Sequence, residues 1–572
     1  RRRGHRIRGG ADDWRGLPLR HLLGQQRGLR LRLRGRLPQE DIEAEKVRPL
    51  PISPIPCRPP RPPSQAMVFT CTDPAMSEAA QKYLLTKPAV AAPLDPDFCP
   101  FILGKRHYLK KAAECDKTAE LHFAVERPGG CVGRDHLPVF PEDHEGFDAS
   151  LFLAGEAIRY MIWQRGGFKV ILSGPQKICE SLKSAYSEGG KYDFEAKTMP
   201  KIFGVAWSVA IEPDDAKLPA AKDEPVVCGK VASGCRIAFD LGKSDVKTVA
   251  VKDGEVLGSA ETEWDVTNPD PQYHYDVIVK AMKETAAKLP GEVVAIGGSA
   301  TGAVSADSEA TWCDCFPNVP PDVYKEKVVP IFNNIAKNEF KGVPMKVIND
   351  GEVTAVAGGQ MIGEGCLFGI SLGSSEGSGY VYEDGSLTGW INENAYCPID
   401  LSPTAPGNVW SPHRGDASVY LGQRAATRLA KKGGIDLPPE MMPDHPDMNA
   451  ASHVPHAQCL KKIQAAMKEP AKEPEARKIY ESIGVYLGYA IAQYCEYLKI
   501  KNVLILGRVT SGHGGEIMME WAKKALAADF PDLADIKFHT PSEHMKRVGQ
   551  CVAAAALPEL SEDSPAKRAR TA

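Results

Sequence analysis

Residues 236–248 read Arg-Ile-Ala-Phe-Asp-Leu-Gly-Lys-Ser-Asp-Val-Lys-Thr and place a glycine-containing turn between two apolar runs. The residues up to Asp240 and the run 246–251 after the turn are typical of neighbouring strands. A carboxylate at a strand end, followed by Gly242 and a hydroxyl residue, lets backbone amides approach a polyphosphate while the carboxylate holds hydrated Mg²⁺. This stretch therefore predicts a strand, a phosphate-binding turn and a second strand.

Two further turns of this kind follow later in the chain. Residues 371–379 read Ser-Leu-Gly-Ser-Ser-Glu-Gly-Ser-Gly, and residues 506–515 read Leu-Gly-Arg-Val-Thr-Ser-Gly-His-Gly-Gly. The last of these precedes a helix that we expect to begin near Glu516, where bare amides attract anions. A single glycine after a strand indicates only a turn, but three such turns in a fixed order favour a nucleotide site.

An acidic residue lies between the first two turns. Residues 347–355 read Val-Ile-Asn-Asp-Gly-Glu-Val-Thr-Ala, so that Asp350 ends a predicted strand and begins a predicted helix. An acid at this place can accept the proton of a hydroxyl that attacks a phosphoryl group. The alternative is that Asp350 only caps the helix. Because three phosphate-type turns surround it in sequence, we favour the catalytic interpretation.

Apolar periodicity predicts an α/β protein. In the span 235–558, predicted strands at 236–240, 246–251, 293–297, 345–348, 367–372 and 503–506 alternate with helices, the longest of which carries an apolar stripe over 479–494. A smaller α/β unit is predicted for 98–228, with strands at 121–125, 169–172 and 203–211 and a helix at 149–163.

The two ends of the chain differ from its body. Residues 1–66 carry 15 Arg and one Lys against six acids, which leaves about −13 for the rest of a chain whose net charge is −3. We predict a disordered basic and Pro-rich arm and linker at 1–97. The arm is open to interpretation as a transit peptide, a nucleic-acid-binding arm, or translated upstream sequence before a natural start at Met67. The polar tail 559–572 contains Ser564–Arg570, for which we weigh two interpretations, a nuclear-import signal and a frayed charged terminus.

Composition narrows the class of protein. The chain of 572 residues is 43% hydrophobic and 25% charged, and the apolar runs are too short to span a bilayer. Its 15 Cys include no CxxC pair, so neither a disulfide framework nor a zinc knuckle is indicated. The acidic body argues against a broad nucleic-acid surface. We expect a cytoplasmic protein without a membrane partner, and the sequence leaves open whether it forms a homo-oligomer.

Taken together, the motifs of 235–558 resemble those of the ROK sugar kinases, which belong to the actin and hexokinase superfamily of two-lobed ATPases. Asp240-Leu-Gly-Lys-Ser244 resembles the first phosphate motif, Gly373-Ser374-Ser375 the second, and Leu506-Gly507 the adenosine motif. The segment 297–302 resembles the sugar-side loop, and Asn349-Asp350 the Asn and catalytic Asp. The resemblance implies an actin-like (ribonuclease H-like) fold of two lobes. Segments 163–167 and 270–275 suggest a subgroup with an additional N-terminal α/β domain.

The resemblance also implies roles for individual residues. Asp350 would be the catalytic base, and Asp240 would hold the metal. The sugar would be bound by Ser299, Thr301, Gly302, Asn349, Glu393 and Tyr396. The nucleotide would be bound by Asp240, Gly242, Lys243, Ser244, Gly373, Ser374, Ser375, Gly507 and Arg508. The implied partners are ATP, Mg²⁺ and a small-molecule sugar.

Several positions depart from the family pattern. Glu393 matches a sugar-binding Glu, but Tyr396 stands where a His is usual, and a later acid that usually contacts the sugar falls near Tyr420. Tyr at both places would make the pocket flatter and more apolar. The Cys-rich zinc loop is missing, so zinc is not expected. Lys243 and Arg508 each replace a glycine. Lys243 either points to solvent or neutralises phosphate, and Arg508 either stacks over adenine or closes the site against it. The leading expectation is an ATP-dependent sugar kinase, and the alternative is a sugar or nucleotide sensor that has lost turnover.

Overall fold

The structure, a computed structural model, describes residues 76–229, 232–243, 245–441, 454–541 and 543–559. Most of the predicted arm, the tail from residue 560 and Ser244 lie outside the described residues. The labelled helices are α1 Glu78–Leu84, α2 Phe101–Ala113, α3 Phe147–Arg165, α4 Gln176–Ala185, α5 Asp193–Phe203, α6 Pro271–Ala286, α7 Ile331–Glu339, α8 Asp350–Ile362, α9 Gln423–Ala430, α10 Val454–Ala466, α11 Glu473–Tyr494, α12 His513–Asp529 and α13 Glu543–Ala556. Short helical turns at Pro321–Val323 and Tyr324–Val328 precede α7.

The strands form three larger sheets and one two-stranded ribbon. They are β1 Ala119–Arg127, β2 Cys131–Val139, β3 Lys169–Ser173, β4 Ser208–Ile211, β5 Cys235–Leu241, β6 Asp245–Lys252, β7 Glu255–Glu263, β8 Ala295–Ala300, β9 Gly302–Ala303, β10 Trp312–Cys313, β11 Met345–Asn349, β12 Leu367–Leu372, β13 Glu376–Val381, β14 Asn502–Leu506 and β15 Lys537–His539. In the part of the chain that the structure describes, no helix is long and apolar enough to cross a membrane.

The first lobe is built on the sheet β11-β8-β5-β6-β7. Strands β5, β6 and β7 form an antiparallel meander, and β8 and β11 add in parallel on the other side of β5. Helices α6 and α7 share an apolar core with one face of the sheet. Helix α13 approaches β8 so closely that a Cβ at Gly297 would lie 1.7 Å from the carbonyl oxygen of Ala554. Counted along the chain, the strand order is 3-2-1-4-5, which is the ribonuclease H-like order.

The second lobe repeats this order without the third strand, in the sheet β13-β12-β14-β15. Its first two strands are an antiparallel hairpin, and the other two are parallel to β12 and to each other. Helix α8 follows β11 of the first lobe directly but packs on β13 of the second lobe. The approach is so close that a Cβ at Gly351 would lie 2.2 Å from the amide nitrogen of Ser378. The chain therefore crosses between the lobes at Asn349 and Asp350. The predicted two-lobed actin-like ATPase fold is confirmed.

A third sheet, β2-β1-β3-β4, belongs to the N-terminal region. Helix α3 connects this region with the second lobe, since the hydroxyl of Tyr160 donates to the carbonyl of Gln493 on α11 at 3.0 Å. One hydrophobic cluster contains buried side chains from α1, α2, β1 and α3 together with others from β12, α11 and α12. The α/β character predicted for this region is therefore present, while its boundaries as a domain at 98 and 228 stay a prediction.

The linker prediction needs correction for residues 76–97. This stretch contains α1, and its side chains Tyr83, Leu84 and Leu94 are buried in the cluster shared with the second lobe. The amide of Leu94 donates to Ser482 Oγ on α11 at 3.0 Å. The prolines of this stretch suggested a linker, but the apolar residues between them supply enough buried surface to hold it on the protein.

Candidate active site in the cleft between the lobes

An open cavity of about 690 Å³ lies where the strand ends of the two lobes meet. Most of the residues predicted to bind ligand line it. These are Lys243, Thr301, Gly302, Asn349, Asp350, Gly373, Ser374, Ser375, Glu393 and Tyr396. Five other predicted residues are outside its wall, namely Asp240, Gly242, Ser299, Gly507 and Arg508. The cavity thus unites the first two phosphate-type turns with the predicted catalytic acid.

Asp350 lies at the first position of α8, where the chain passes from one lobe to the other. Its Oδ1 accepts a hydrogen bond from the amide of Gly351 at 3.0 Å, and a Cβ at Gly377 would lie 3.2 Å from the same oxygen. Burial and the neighbouring charge of Asp240 raise the pKa of Asp350 to about 7. A carboxyl group with such a pKa is well suited to accept a proton at neutral pH.

Asn349 caps α8 and thereby fixes the position of its neighbour Asp350. Its Oδ1 accepts from the amide of Gly351 at 2.7 Å, and its Nδ2 donates to the carbonyl of Gly302 at 2.9 Å. The cap interpretation weighed for Asp350 thus falls on Asn349, one residue earlier. Since Asn349 also lines the cavity, it can contact a ligand with the hydrogen-bonding capacity that remains.

Asp240 ends β5 and is almost fully buried. Its Oδ1 accepts from the hydroxyl of Ser299 at 2.6 Å, and its Oδ2 lies 3.6 Å from Lys247 Nζ. Ser299 was predicted to bind sugar, but the structure buries it in β8 behind Asp240 instead. Its observed contact orients the carboxylate of Asp240, which contributes to the raised pKa of Asp350.

Lys243 lies in the cavity wall and does not point to solvent. Its Nζ donates to Asp314 Oδ2 at 2.8 Å and lies 5.6 Å from the centre of the Trp410 ring. Burial lowers the pKa of Lys243, but the Asp314 carboxylate outweighs this effect, and the net shift is upward. Lys243 is therefore a stable cation at the boundary of the cavity. The interpretation that its side chain only points to solvent is wrong.

The turns themselves use part of their backbone donors internally. The amide of Gly242 donates to the carbonyl of Asp245 and the amide of Gly373 to that of Ser375, both at 2.9 Å. These two amides are therefore not free to bind phosphate, contrary to our expectation for them. The hydroxyl of Ser375 is different, because its Oγ is buried and has no hydrogen-bond partner in the described structure.

The third turn lies beside the second one. A Cβ at Gly507 would lie 2.2 Å from the carbonyl oxygen of Leu372, and Gly507 has φ of 104°, which explains the need for glycine. The side chain of Arg508 is exposed, and its carbonyl accepts from Gln464 Nε2 at 2.9 Å. Neither residue lines the cavity, so their predicted nucleotide contact stays a prediction.

Two further acids, Glu393 and Glu376, line the cavity and have raised pKa values. Burial, followed by the charges of Asp314 and Asp350, raises the pKa of Glu393 to about 8. Burial raises the pKa of Glu376 to about 7, although Tyr494 donates to its Oε1 at 2.8 Å. Its second oxygen, Oε2, is buried without a hydrogen-bond partner in the described structure.

Tyr396 and Trp312 form an aromatic side of the cavity, and rings of the N-terminal region pack behind Tyr396. Tyr396 stacks on Trp163 of α3, with ring centroids 4.3 Å apart and planes inclined by 20°. Trp312 lies 6.1 Å from Tyr396 between ring centroids, and Phe194 of α5 lies 6.0 Å from it. Such a surface suits the apolar face of a sugar ring. The N-terminal region therefore supports the wall of the cavity.

Tyr420, in contrast, does not contribute to this wall. It is fully buried between Phe98 and Tyr486, and its hydroxyl donates to the carboxylate of Asp400. The prediction that a tyrosine near 420 flattens the pocket is therefore wrong. The reason is that this aromatic ring faces the core shared with the N-terminal region.

The carboxylates of the cavity fit a divalent cation. Asp240 is close enough to Asp350 for its charge to raise the pKa of Asp350, and a cation near both carboxylates would relieve this repulsion. The described residues contain no group of three or more His, Cys, Asp or Glu side chains that could hold a metal ion. Mg²⁺ needs only one or two carboxylates when phosphate oxygens and water complete its shell.

Several residues of the site were not singled out from the sequence. Asp314, Trp312, Asn392 and Trp410 all line the cavity. Asp314 lies in the segment Trp-Cys-Asp-Cys at 312–315, and Trp410 in a loop without apolar periodicity. The only local signal was the presence of Trp beside polar residues, which is too common to identify a site.

Comparisons with known proteins find similarity to solved structures of ROK proteins. No family model and no curated protein sequence matches the chain. Among solved structures, it is similar to a ROK family glucokinase from Streptomyces griseus in complex with glucose and AMPPNP, with 18% identity, coverage of 56% of this chain and 98% of that one, and a TM-score of 0.42. It is also similar to a ROK hexokinase from Thermus thermophilus, with 16% identity, coverage of 57% and 97%, and a TM-score of 0.43.

A regulator is also among the similar structures. It is a ROK family transcriptional regulator described as a homologue of the E. coli MLC protein, with 17% identity, coverage of 57% of this chain and 78% of that one, and a TM-score of 0.43. These three solved structures are described as ROK proteins, and the similarity concerns the fold alone. What the cleft does has to be argued from its own residues.

Proposed function

We propose that this protein transfers a phosphoryl group from ATP to a hydroxyl of a sugar, a hexose or an N-acetylhexosamine, with Asp350 as the general base. The observation that carries the proposal is the position of Asp350 at the crossing between the lobes, in a cavity wall shared with Lys243 and the turn 373–375. A pKa of about 7 supports this role, because the carboxylate can hold the proton it receives.

In the proposed reaction, the sugar hydroxyl oxygen forms a bond to the γ-phosphorus while the bond from that phosphorus to the β,γ-bridging oxygen breaks. The hydroxyl proton passes to the Asp350 carboxylate, and ADP is the leaving group. Asn349 keeps Asp350 in place through its hydrogen bond to the amide of Gly351, at 2.7 Å. Asp350 must be ionised to start the reaction, so activity requires a pH near or above its pKa.

The sugar would lie against the aromatic side of the cavity. Tyr396 and Trp312 offer flat surfaces to the ring, and Asn392 Oδ1, which is buried without a hydrogen-bond partner among the described residues, can accept from a sugar hydroxyl. With a pKa of about 8, Glu393 is largely protonated at neutral pH and can both donate and accept. Thr301 and Gly302 also line this part of the cavity.

The nucleotide phosphates would lie between the turns of the two lobes. Lys243 and the free hydroxyl of Ser375 support this placement, together with Ser374 beside it. Asp240 would hold Mg²⁺, which supplies positive charge against the triphosphate when bound. Gly507 and Arg508 would contact the adenosine. We propose the cytoplasm as the place of the reaction.

The test is a coupled measurement of ADP release with MgATP and a panel of hexoses and N-acetylhexosamines, on the full chain. We expect one sugar to stimulate ADP release strongly, and Asp350→Asn to abolish the stimulation. Sugar-dependent release that survives in Asp350→Asn would refute the role of this residue. Absence of release with the whole panel would refute the kinase.

A second candidate is a sensor that binds sugar without turnover. It is favoured by one observation, the internal use of the amides of Gly242 and Gly373, which leaves fewer donors for a triphosphate. The same panel separates the two candidates. A sugar that raises the melting temperature but causes no ADP release would favour the sensor.

A further inference from the structure

Arg424 is a buried cation for which the described residues provide no counter-ion. It lies in the first turn of α9 and is only 6% exposed, and its Nε and Nη2 have no hydrogen-bond partner in the described structure. Two other arginines differ from it, because the buried Arg159 is paired with Asp416 at 2.6 Å and the buried Arg236 donates to the carbonyls of Ala555 and Pro558 at 2.8 and 2.9 Å. Burying a charge without a partner costs free energy, so an unpaired guanidinium indicates a missing ligand.

The position of Arg424 connects it to the cavity. Its Cζ lies 4.2 Å from the centre of the Trp410 ring, and Trp410 lines the cavity. Lys243 Nζ lies 5.6 Å from the same ring, but Lys243 already has Asp314 as its partner. Two cations thus flank one indole in the cavity wall, and one of them is unsatisfied.

The helix that carries Arg424 is fixed to the second phosphate-type turn. The amide of Gln423 donates to the carbonyl of Gly373 at 2.9 Å, and a Cβ at Gly422 would lie 2.8 Å from the Cα of Ser375. The guanidinium is also close enough to Tyr396 for each group to influence the pKa of the other. Arg424 therefore lies between the turn and the aromatic side of the cavity.

We propose that Arg424 binds an oxyanion, a phosphoryl or carboxylate group, of the ligand that occupies this cavity. A guanidinium presents parallel N–H donors that match the oxygens of such groups. The cavity wall carries several acidic side chains, and its lysine, Lys243, is already paired with Asp314, so an anionic ligand group needs a cation of its own there. The group comes either from the terminal phosphate of ATP or from an acidic substituent of the sugar. The proposal concerns binding and holds with or without turnover.

Binding of four probes to the full chain, measured by calorimetry, separates the two sources. The difference in affinity between MgATP and MgADP reports the contribution of the terminal phosphate. The difference between glucuronate and glucose reports the contribution of a carboxylate. We expect Arg424→Met to weaken either MgATP or glucuronate binding by about 10- to 100-fold, as for a lost charge-assisted bond, and to leave the matched probe unchanged. Arg477→Met, an exchange at an ion-paired arginine of α11, serves as the control.

Thermal unfolding without ligand supplies the second readout. Because Arg424 has no ion-pair partner in the part of the chain that the structure describes, Arg424→Met is expected to keep or raise the melting temperature, whereas Arg428→Met on the same helix should lower it. The proposal is overturned if Arg424→Met lowers the melting temperature as Arg428→Met does, or if it binds all four probes within twofold of wild type, or if wild type binds neither MgATP nor glucuronate. If Arg424→Met binds all four probes within twofold of wild type and keeps its turnover, the kinase stays intact and only this inference is removed.

Discussion

Trp163 and Tyr396 stack face to face at 4.3 Å, although one belongs to the N-terminal region and the other to the cavity wall of the second lobe. The indole of Trp163 also donates to Glu195 Oε1 at 2.9 Å, and Glu195 in turn lies 3.1 Å from His413 Nε2. Trp163 does not line the cavity. Trp163 is therefore a positioning residue, which fixes the orientation of the Tyr396 ring in the cavity wall.

Trp163→Phe should disturb sugar binding more than nucleotide binding. The smaller ring leaves Tyr396 less constrained, and we expect the KM for the sugar to rise about tenfold, because small displacements of a binding group are costly. The KM for ATP should stay within twofold. Trp207→Phe is the matched control, since the indole of Trp207 donates to the carbonyl of Tyr186 at 2.9 Å, away from the cavity. Equal effects of the two variants would contradict the positioning role.

Asp350→Asn should remove turnover without harming the fold. Loss of a general base lowers kcat by about 100- to 10,000-fold, and the amide oxygen of Asn can still accept from Gly351. Asp148→Asn, an exchange at another acid in the first turn of a helix, should leave kcat unchanged. The measurements are ADP release and the melting temperature. A kcat within threefold of wild type in Asp350→Asn would exclude general-base catalysis by this residue.

Activity should depend on pH through Asp350. Because its pKa is about 7 and the base must be ionised, kcat/KM should rise as the pH increases from 5.5 to 8. The negative charge of Asp314 contributes to this pKa, so Asp314→Asn should move the rise to lower pH. The profile is measured at saturating MgATP with varied sugar. A flat profile over this range would show that another group accepts the proton.

Stability should also change with pH in a defined direction. The pKa values of Glu393 and Glu376 are raised to about 8 and about 7, so the folded state retains protons that the unfolded state has released. The contribution of these groups is fully present below their ordinary pKa values and is lost as the pH rises through 7 to 8. We expect a higher melting temperature at pH 6 than at pH 8.5.

Glu393→Gln should reduce this difference in melting temperature, because the amide no longer titrates. Glu292→Gln is the control, since Glu292 is exposed beside Lys341 and its pKa is lowered. A difference that is unchanged in Glu393→Gln, or a higher melting temperature at pH 8.5 in the wild type, would contradict the assignment.

The ion pair between Arg159 and Asp416 should be important for stability. Both side chains are fully buried, and Asp416 also accepts from Asn408 and Ser411, at 2.9 and 2.8 Å. Asp416→Asn leaves Arg159 with less counter-charge, and the free energy of unfolding should fall by about 3 to 5 kcal/mol. Urea unfolding measures this loss. Glu473→Gln, at a more exposed ion pair with Arg477, should have little effect.

Much of the secondary structure could be predicted because local patterns determine it. The strand 367–372 was predicted with the bounds it has in the structure, and the long helix was found from its apolar stripe. The strand expected at 203–211 is shorter, because α5 extends to Phe203 and Gly204 ends it in the left-handed conformation. Strand β8 continues to Ala300, past glycines that suggested a loop, since Gly298 allows the ring of Phe239 to pack against it.

The site could be predicted only where its residues follow strands directly. Asp350 and Lys243 were found because a polar residue after an apolar run is visible in the sequence. Asp314, Trp410 and Arg424 come from segments that only the tertiary structure brings to the cavity, and no spacing rule connects them. Their importance rests on partners far away in the chain, as with Lys243 and Asp314, whose side chains meet at 2.8 Å.

The hydrophobic cluster that unites the N-terminal helices with α11 and α12 has a consequence for synthesis. A ribosome releases α1 to α3 long before the residues that cover them have been made. Until then, the apolar faces of the early helices remain accessible to other growing chains and to chaperones. When the second lobe emerges, it therefore closes the cleft and at the same time covers helices α1 to α3.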